Sequence, residues 1–124
     1  MIGRVVFALY WLNAAYSHLF KSTGLVGYTQ MKTGYSTGKS KFAVFATGIL
    51  LAIGGLTLLA GVWVHLGILC LVVFLLGAAF KMHAYWKATD ANSKMGDHVN
   101  FWKDIALIAA LLMLLSLPLT YWLW

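Results

Sequence analysis

Apolar residues along the chain gather into four long runs, at about residues 2–20, 42–62, 66–86 and 100–117, separated by segments that carry nearly all the charge. A helix needs about 20 mostly apolar residues to cross the hydrocarbon core of a bilayer. The pattern therefore predicts an all-α protein, a four-helix transmembrane bundle forming one domain over residues 1–124.

The runs differ in character. In the first, Trp11, Asn13 and His18 interrupt the hydrocarbon, and Asn13 and Ser17 lie one turn apart on a shared face, which is expected to meet protein rather than lipid. These interruptions, and the lack of a small-residue cleavage site, favour a retained span over a cleaved signal sequence. The second run carries Gly48, Ala52, Gly54, Gly55 and Gly61. Small residues let membrane helices approach closely, so Gly48 with Ala52 predicts a packing face and a central helix. Trp63 and His65 flank the short turn before the third run, with His65 expected at the membrane surface. Between the first two runs, the glycines, serines and threonines of residues 21–41 disfavour a continuous helix, although residues 25–31 suit a short amphipathic turn. A solvated loop is the simpler expectation here, and a lid over a site beneath it is the alternative.

Composition narrows the class. Of 124 residues, 62% are hydrophobic and 10% charged, which places the chain among integral membrane proteins and leaves no room for an extramembrane domain. The net charge of +6 lies in scattered lysines, with no basic tract interleaved with exposed aromatics, so nucleic acid is not an expected partner and anionic lipid headgroups are. Lys21, Lys32, Lys39, Lys41, Lys81, Lys87, Lys94 and Lys103 fall on the side of the first and third loops, and Arg4 alone on the other. By the positive-inside rule, both termini face the non-cytoplasmic side. Tyr85, Trp86 and Trp102 form one expected aromatic belt, and Trp63, Tyr121, Trp122 and Trp124 the other, which implies an even number of crossings. Cys70, the only cysteine, excludes an intramolecular disulfide and reads as a small hydrophobe in an apolar run. No Cys/His spacing suggests a metal site.

Polar chemistry is concentrated in residues 78–111, AAFKMHAYWKATDANSKMGDHVNFWKDIALIAAL, which hold two of the four histidines and all three acidic residues. With the topology above, His18, His83, Asn100, Lys103 and Asp104 reach similar depth near the cytoplasmic interface. Ionisable groups in a membrane are costly and are candidates for function by default. Simpler roles compete with that one. Asn100 can cap the fourth helix, with Asp104 near the positive end of its dipole. Lys81 and Lys103 can snorkel to headgroups, and both histidines can be interfacial polar groups. Asn100 and Asp104 share a face, whereas Lys103 and Asp104 do not, so an ion pair of Asp104 is expected with another helix.

The run from Ala79 through His83 to Trp86, then Thr89 and Asp90, then Phe101, Trp102, Lys103, Asp104, Ile105, Ala106 and Leu107 resembles the signature of the DoxX family. That signature is an alanine-and-phenylalanine run into a histidine and an aromatic pair, a polar loop, and a helix start of the form F-x-K-N-x-A-L. Gly48 to Gly55 and Gly61 resemble its glycine-rich second helix. The resemblance implies a four-helix membrane bundle, placed in a prokaryotic inner membrane. It also implies redox chemistry, either thiosulfate oxidation with quinone as acceptor or complexes that handle thiol and oxidative stress. It marks His83, Trp86, Lys103 and Asp104 as positions of interest. Two departures stand out: Leu51 lies where the family often has a glutamate, and Asp104 replaces the usual asparagine.

Two classes of function follow. One is an accessory subunit packed against other subunits of a larger redox-linked membrane complex. The other is a quinone-interacting oxidoreductase subunit, with His83 or His18 hydrogen-bonding a carbonyl and Asp104 or Lys103 handling protons in a site that includes Trp86 and Asn100. The absence of a cofactor-binding motif and of the glutamate favours the accessory subunit and leaves enzymatic activity open, with quinone the one cofactor implied. A bis-histidine haem between His18 and His83 and a transporter role are weaker alternatives.

Overall fold

The computed structural model describes residues 1–122, all helix and connecting turns, with no strand among them. Five α-helices follow in order: α1 (Ile2–Phe20), α2 (Thr23–Thr33), α3 (Thr37–Ala60), α4 (Val64–Gly77) and α5 (Ala91–Leu115). A π-helical turn, Ala78–Met82, continues α4, and short 3-10 turns occupy Tyr85–Lys87 and Leu119–Trp122.

Among the described residues, three helices are long and apolar enough to cross a membrane: α3, α4 with its continuation to Lys87, and α5. The first helix falls short by composition, because Arg4, Asn13, Ser17 and His18 dilute its hydrocarbon. It has instead a tight partner. Gly48 of α3 brings the backbone so near α1 that a Cβ there would stand 2.9 Å from the Cβ of His18, and one on Gly55 would stand 2.7 Å from Leu12 Cγ. At the far end Arg4 Nη2 donates to the Leu59 carbonyl at 3.4 Å. Helix α1 thus runs antiparallel along most of α3. On the other side of α3, a Cβ on Gly54 would meet Leu71 of α4, and one on Gly67 of α4 would meet Thr57. The third helix is therefore in contact with both neighbours through glycines, with Ala52 half-buried against the same core.

Side chains from α1, α3, α4 and α5 share one apolar core, around Trp11, Leu51, Leu58, Ile68, Leu71, Leu75 and Leu111. Large apolar residues remain exposed on the outer faces, among them Phe20, Phe42, Phe45, Leu69, Val73 and Met113. That inside-out distribution suits a lipid surround.

Several local expectations change. Residues 21–41 are mostly helical rather than a loop: α2 is held by burial of Val26 and Thr29 rather than by intrinsic propensity. It stops at Gly34, whose φ of +73° is the left-handed conformation that glycine adopts without strain. Ser36 then caps α3, its Oγ accepting from Lys39 N at 3.3 Å. The last helix begins nine residues before Asn100, because Asp90 caps it by accepting from Ser93 N at 2.7 Å. Asn100 is accordingly a mid-helix residue and not a cap, and Asp104 is too far inside for the terminal dipole to matter. Trp11 is buried as a protein-facing residue, but Asn13 is exposed, so the Asn13 and Ser17 face does not meet protein throughout. Trp122 is not a belt residue. It is 2% exposed, its carbonyl accepting from Arg4 Nη1 at 3.2 Å and its ring lying 5.6 Å from the guanidinium carbon. Trp63, Trp86, Trp102 and Tyr121 are exposed as interfacial aromatics are. Trp124 lies outside the described residues.

Candidate functional site

The site forms where α4 ceases to be a regular helix. Its π-helical turn ends at His83, whose backbone N–H bonds the Ala78 carbonyl at 3.0 Å, and the chain then bends through Ala84. Single π turns inside α-helices recur at functional sites because they rotate one side chain out of the regular register. Here that side chain is His83.

Helix α5 presents acids to it. Asp90, Asp97 and Asp104 are spaced by seven, two helical turns each, so they fall on one stripe that continues through Phe101 to Leu111. Asp97 and Asp104 are buried, 6% exposed each. Asp97 Oδ1 lies 3.6 Å from His83 Nδ1, and Asp104 Oδ2 lies 3.9 Å from His83 Nε2. Both separations exceed direct hydrogen bonding, and they become ion pairs only when His83 is protonated. Accordingly His83 Nδ1 and Asp104 Oδ2 are buried polar atoms without a hydrogen-bond partner. Such atoms are rare in folded proteins and point to a further partner at the site.

Asp97 is held from the other side as well. Lys32, at the end of α2, donates from Nζ to Asp97 Oδ2 at 2.5 Å. Partial burial opposes the Lys32 charge, but the hydrogen bond to Asp97, with the fields of Tyr28, Asp97 and Asp90, outweighs it and raises the ammonium pKa above its ordinary value. Tyr28 is pushed up, mainly by burial. The capping bonds from Ser93, backbone first, hold the Asp90 carboxyl below the usual carboxylate range.

Beside this cluster lies a cavity of about 350 Å³, lined mostly by apolar groups of α2, α3 and α4, including Leu25, Tyr28, Val44, Leu50 and Phe74. His18 and His83 both line it. The His18 ring stands edge-on to Phe74, centroids 5.6 Å apart. Its Nδ1 lies 3.3 Å from the Val44 carbonyl and 3.0 Å from Thr47 Oγ1. A carbonyl only accepts, and the Thr47 hydroxyl already donates to the Ala43 or Val44 carbonyl. Nδ1 must therefore carry hydrogen, which leaves Nε2 of the neutral ring as an acceptor. Helix α2 forms one wall of the cavity.

The remaining candidates are separate from the cavity. Trp86 is half-exposed in an aromatic cluster with Phe80, Tyr85 and Phe101, Lys103 is exposed, and Asn100 is half-buried on α5. None of the three is in the cavity lining. Asp97 and Lys32 were missed by reading the sequence, although the seven-residue spacing of the aspartates and the apolar positions 101, 108 and 111 between and beyond them would have found Asp97. No short-range signal marks Lys32, which reaches its partner across 65 residues of chain. Among the described residues no group of three or more His, Cys, Asp or Glu is arranged to hold a metal ion.

The DoxX family model matches residues 1–84, about two thirds of the chain, and the chain belongs to that family. The match covers α1 to His83, so the motif-like residues Trp86, Asp90 and 101–107 lie beyond it. No curated protein and no solved structure matches the chain.

Proposed function

We propose that this DoxX-family membrane protein is a small subunit of a redox-linked complex of a prokaryotic inner membrane, and that its cavity receives a quinone headgroup. The single observation that carries the reading is the cavity itself, apolar along its walls and bounded by two histidines, one of which has a buried ring nitrogen without a hydrogen-bond partner. Its volume of about 350 Å³ is at the lower end of small-ligand sites and suits one or two fused rings.

Bound there, a quinone supplies two-electron, two-proton chemistry, with the electrons exchanged with a redox centre on a partner subunit. The residues of this chain bind the ring and move protons. His83, between Asp97 and Asp104, is the residue that would exchange a proton with a ring oxygen. His18 Nε2 accepts from a hydroxyl on the opposite side, and Phe74 and Leu25 exclude water. In place of the glutamate that the family often carries, Leu51 is fully buried in the core, and the aspartates of α5 take over the acidic role.

Four crossings with both termini on the non-cytoplasmic side fit this reading. Helix α1 has 19 residues, about 28 Å of helix, and its ionisable groups are turned to protein, Arg4 buried against carbonyls and His18 bonded to α3, although Asn13 is exposed. Its antiparallel packing along α3 supports a crossing of α1 beside that helix.

Titration of the detergent-solubilised protein with a short-chain benzoquinone or naphthoquinone, read by tryptophan fluorescence and by melting temperature, tests the site. The parent should bind and be stabilised, and His83→Leu should weaken binding about tenfold or more, the equivalent of about 1.4 kcal/mol. If neither analogue binds the parent while another subunit co-purifies in fixed ratio, the protein is an accessory subunit without a quinone site.

A further inference from the structure

A second cavity, about 410 Å³ and open to the surface, lies on the other side of the Lys32 and Asp97 pair, between the end of α2, the π-helical turn and the start of α5. Its charged lining is Lys32, Lys81, Lys87, Asp90 and Asp97. Both carboxylates are already engaged, Asp97 by Lys32 and Asp90 by Ser93, whose hydroxyl also donates to it at 2.9 Å. The side chains of Lys81 and Lys87 make no ion pair or hydrogen bond among the described residues. Three lysines against two aspartates give the cleft a net positive charge, and Lys81 and Lys87 are its unpaired ammonium groups, with the hydroxyl-bearing residues Thr33, Tyr35 and Thr89 as neighbours. That combination recognises a group with several anionic oxygens.

The cleft is not purely aqueous. Phe80 lines it and is 49% exposed, and Trp86, also 49% exposed, lies tilted against Phe80 with centroids 6.1 Å apart. Apolar aromatic surface adjoins the cationic cleft at the end of the apolar spans, where headgroups meet acyl chains. We infer that this cleft binds the phosphate of an anionic phospholipid of the surrounding leaflet, its headgroup between Lys81 and Lys87 and its chains along Phe80 and Trp86. The site differs from the one proposed for the quinone in Lys87, Thr89 and Asp90, which line this cleft alone, whereas Lys81 borders both cavities. Clefts of basic residues between membrane helices are suited to such headgroups, because a phosphodiester there satisfies charges that neither hydrocarbon nor protein does.

Native mass spectrometry of the detergent-solubilised protein, titrated in parallel with phosphatidylglycerol, phosphatidylcholine and inorganic phosphate, tests this. Phosphatidylglycerol adducts should persist under conditions that strip phosphatidylcholine, and the double variant Lys81→Gln, Lys87→Gln should weaken them about tenfold. Lys41→Gln, an exposed lysine outside the cleft, should leave them unchanged. Equal retention of the two lipids, or equal weakening by Lys41→Gln, overturns the inference in favour of diffuse surface charge. Inorganic phosphate that displaces phosphatidylglycerol at equal concentration assigns the cleft to a soluble phosphate compound instead and overturns the lipid assignment.

Discussion

Lys32 and Asp97 join the surface helix α2 to the middle of the acidic stripe on α5, Nζ to Oδ2, across a gap that separates two cavities. One cavity is apolar and contains the histidines; the other is polar, lined by three lysines and two aspartates. Since α2 forms a wall of both, the pair fixes how the wall is closed, and its loss should be felt on both sides.

Asp97→Asn should therefore destabilise the protein by about 1–2 kcal/mol, less than the loss of a fully buried pair because Lys32 keeps some contact with water. Hydrogen exchange should increase in α2 more than in α3. The partner variant Lys32→Met should not add its full effect to Asp97→Asn, and strict additivity in the double-mutant cycle would mean that the two residues do not act as a pair.

The pair also sets an alkaline limit. Lys32 has a raised pKa in the folded state, so its contribution is fully present below the ordinary lysine pKa and is lost as pH rises through the folded value. Asp90 has the opposite sign: its lowered carboxyl pKa stabilises the fold above the ordinary carboxylate range and is lost as pH falls through the folded value. Melting temperature against pH should fall at both extremes. Lys32→Met should flatten mainly the alkaline limb, and Asp90→Ala mainly the acidic limb, each touching the other slightly because the two charges act on one another.

The glycines of α3 predict a positional series. Gly55→Leu would drive a side chain into Leu12 and the α1 backbone, and Gly48→Leu into His18 and Leu19, at a cost of about 1–3 kcal/mol each from overpacking. Gly3→Ala and Gly77→Ala, where a new Cβ meets nothing within 4 Å, should melt like the parent or slightly above it. Loss of stability in the latter pair rather than the former would show that α1 does not pack on α3 as described.

Much of this arrangement was legible in the sequence. The apolar runs located α1, α3 and α4, and small residues identified the helix that touches two neighbours. Polar residues at the span ends pointed to His18 and His83, which the fold brings to one cavity. Two helices were misread because hydropathy sees the membrane and not the helix. The first turns of α5, ANSKMGDHV, are polar, so only the Asp90 and Ser93 cap reveals that the helix extends beyond the apolar run. In α2, Gly24 and Gly27 lower helix propensity, and what holds the segment is burial of Val26 and Thr29 against the rest of the protein. Arg4 misled in another way. It counted as the one positive charge on the non-cytoplasmic side, yet it is buried and binds the carbonyls of Leu59 and Trp122, which leaves the lysine asymmetry sharper than the raw count.

Orientation can be tested on residues of known exposure. In a Cys70→Ser background, Lys94→Cys and His65→Cys place thiols at opposite ends of the molecule, both at exposed positions. An impermeant maleimide applied to intact cells should label His65→Cys and spare Lys94→Cys until the membrane is permeabilised. Labelling of Lys94→Cys alone would invert the protein.

The tautomer of His18 makes the last prediction, and it separates the two redox states of a bound ring. Because Nδ1 donates toward Val44 or Thr47, only Nε2 is left, and in the neutral imidazole it can accept but not donate. A quinone offers carbonyl acceptors alone, whereas a hydroquinone offers hydroxyl donors, so His18 can bond the reduced ring and not the oxidised one. His18→Leu should therefore weaken hydroquinone binding by about 0.5–1.5 kcal/mol, up to about tenfold, while changing quinone binding little. Nitrogen-15 chemical shifts should show the Nδ1–H tautomer in the free protein. Thr47→Val leaves the Val44 carbonyl in place and should preserve that tautomer, so the redox preference should survive it. Equal weakening of both ring states by His18→Leu would show that the histidine only fills space, and would leave His83 as the sole proton-handling group at the cavity.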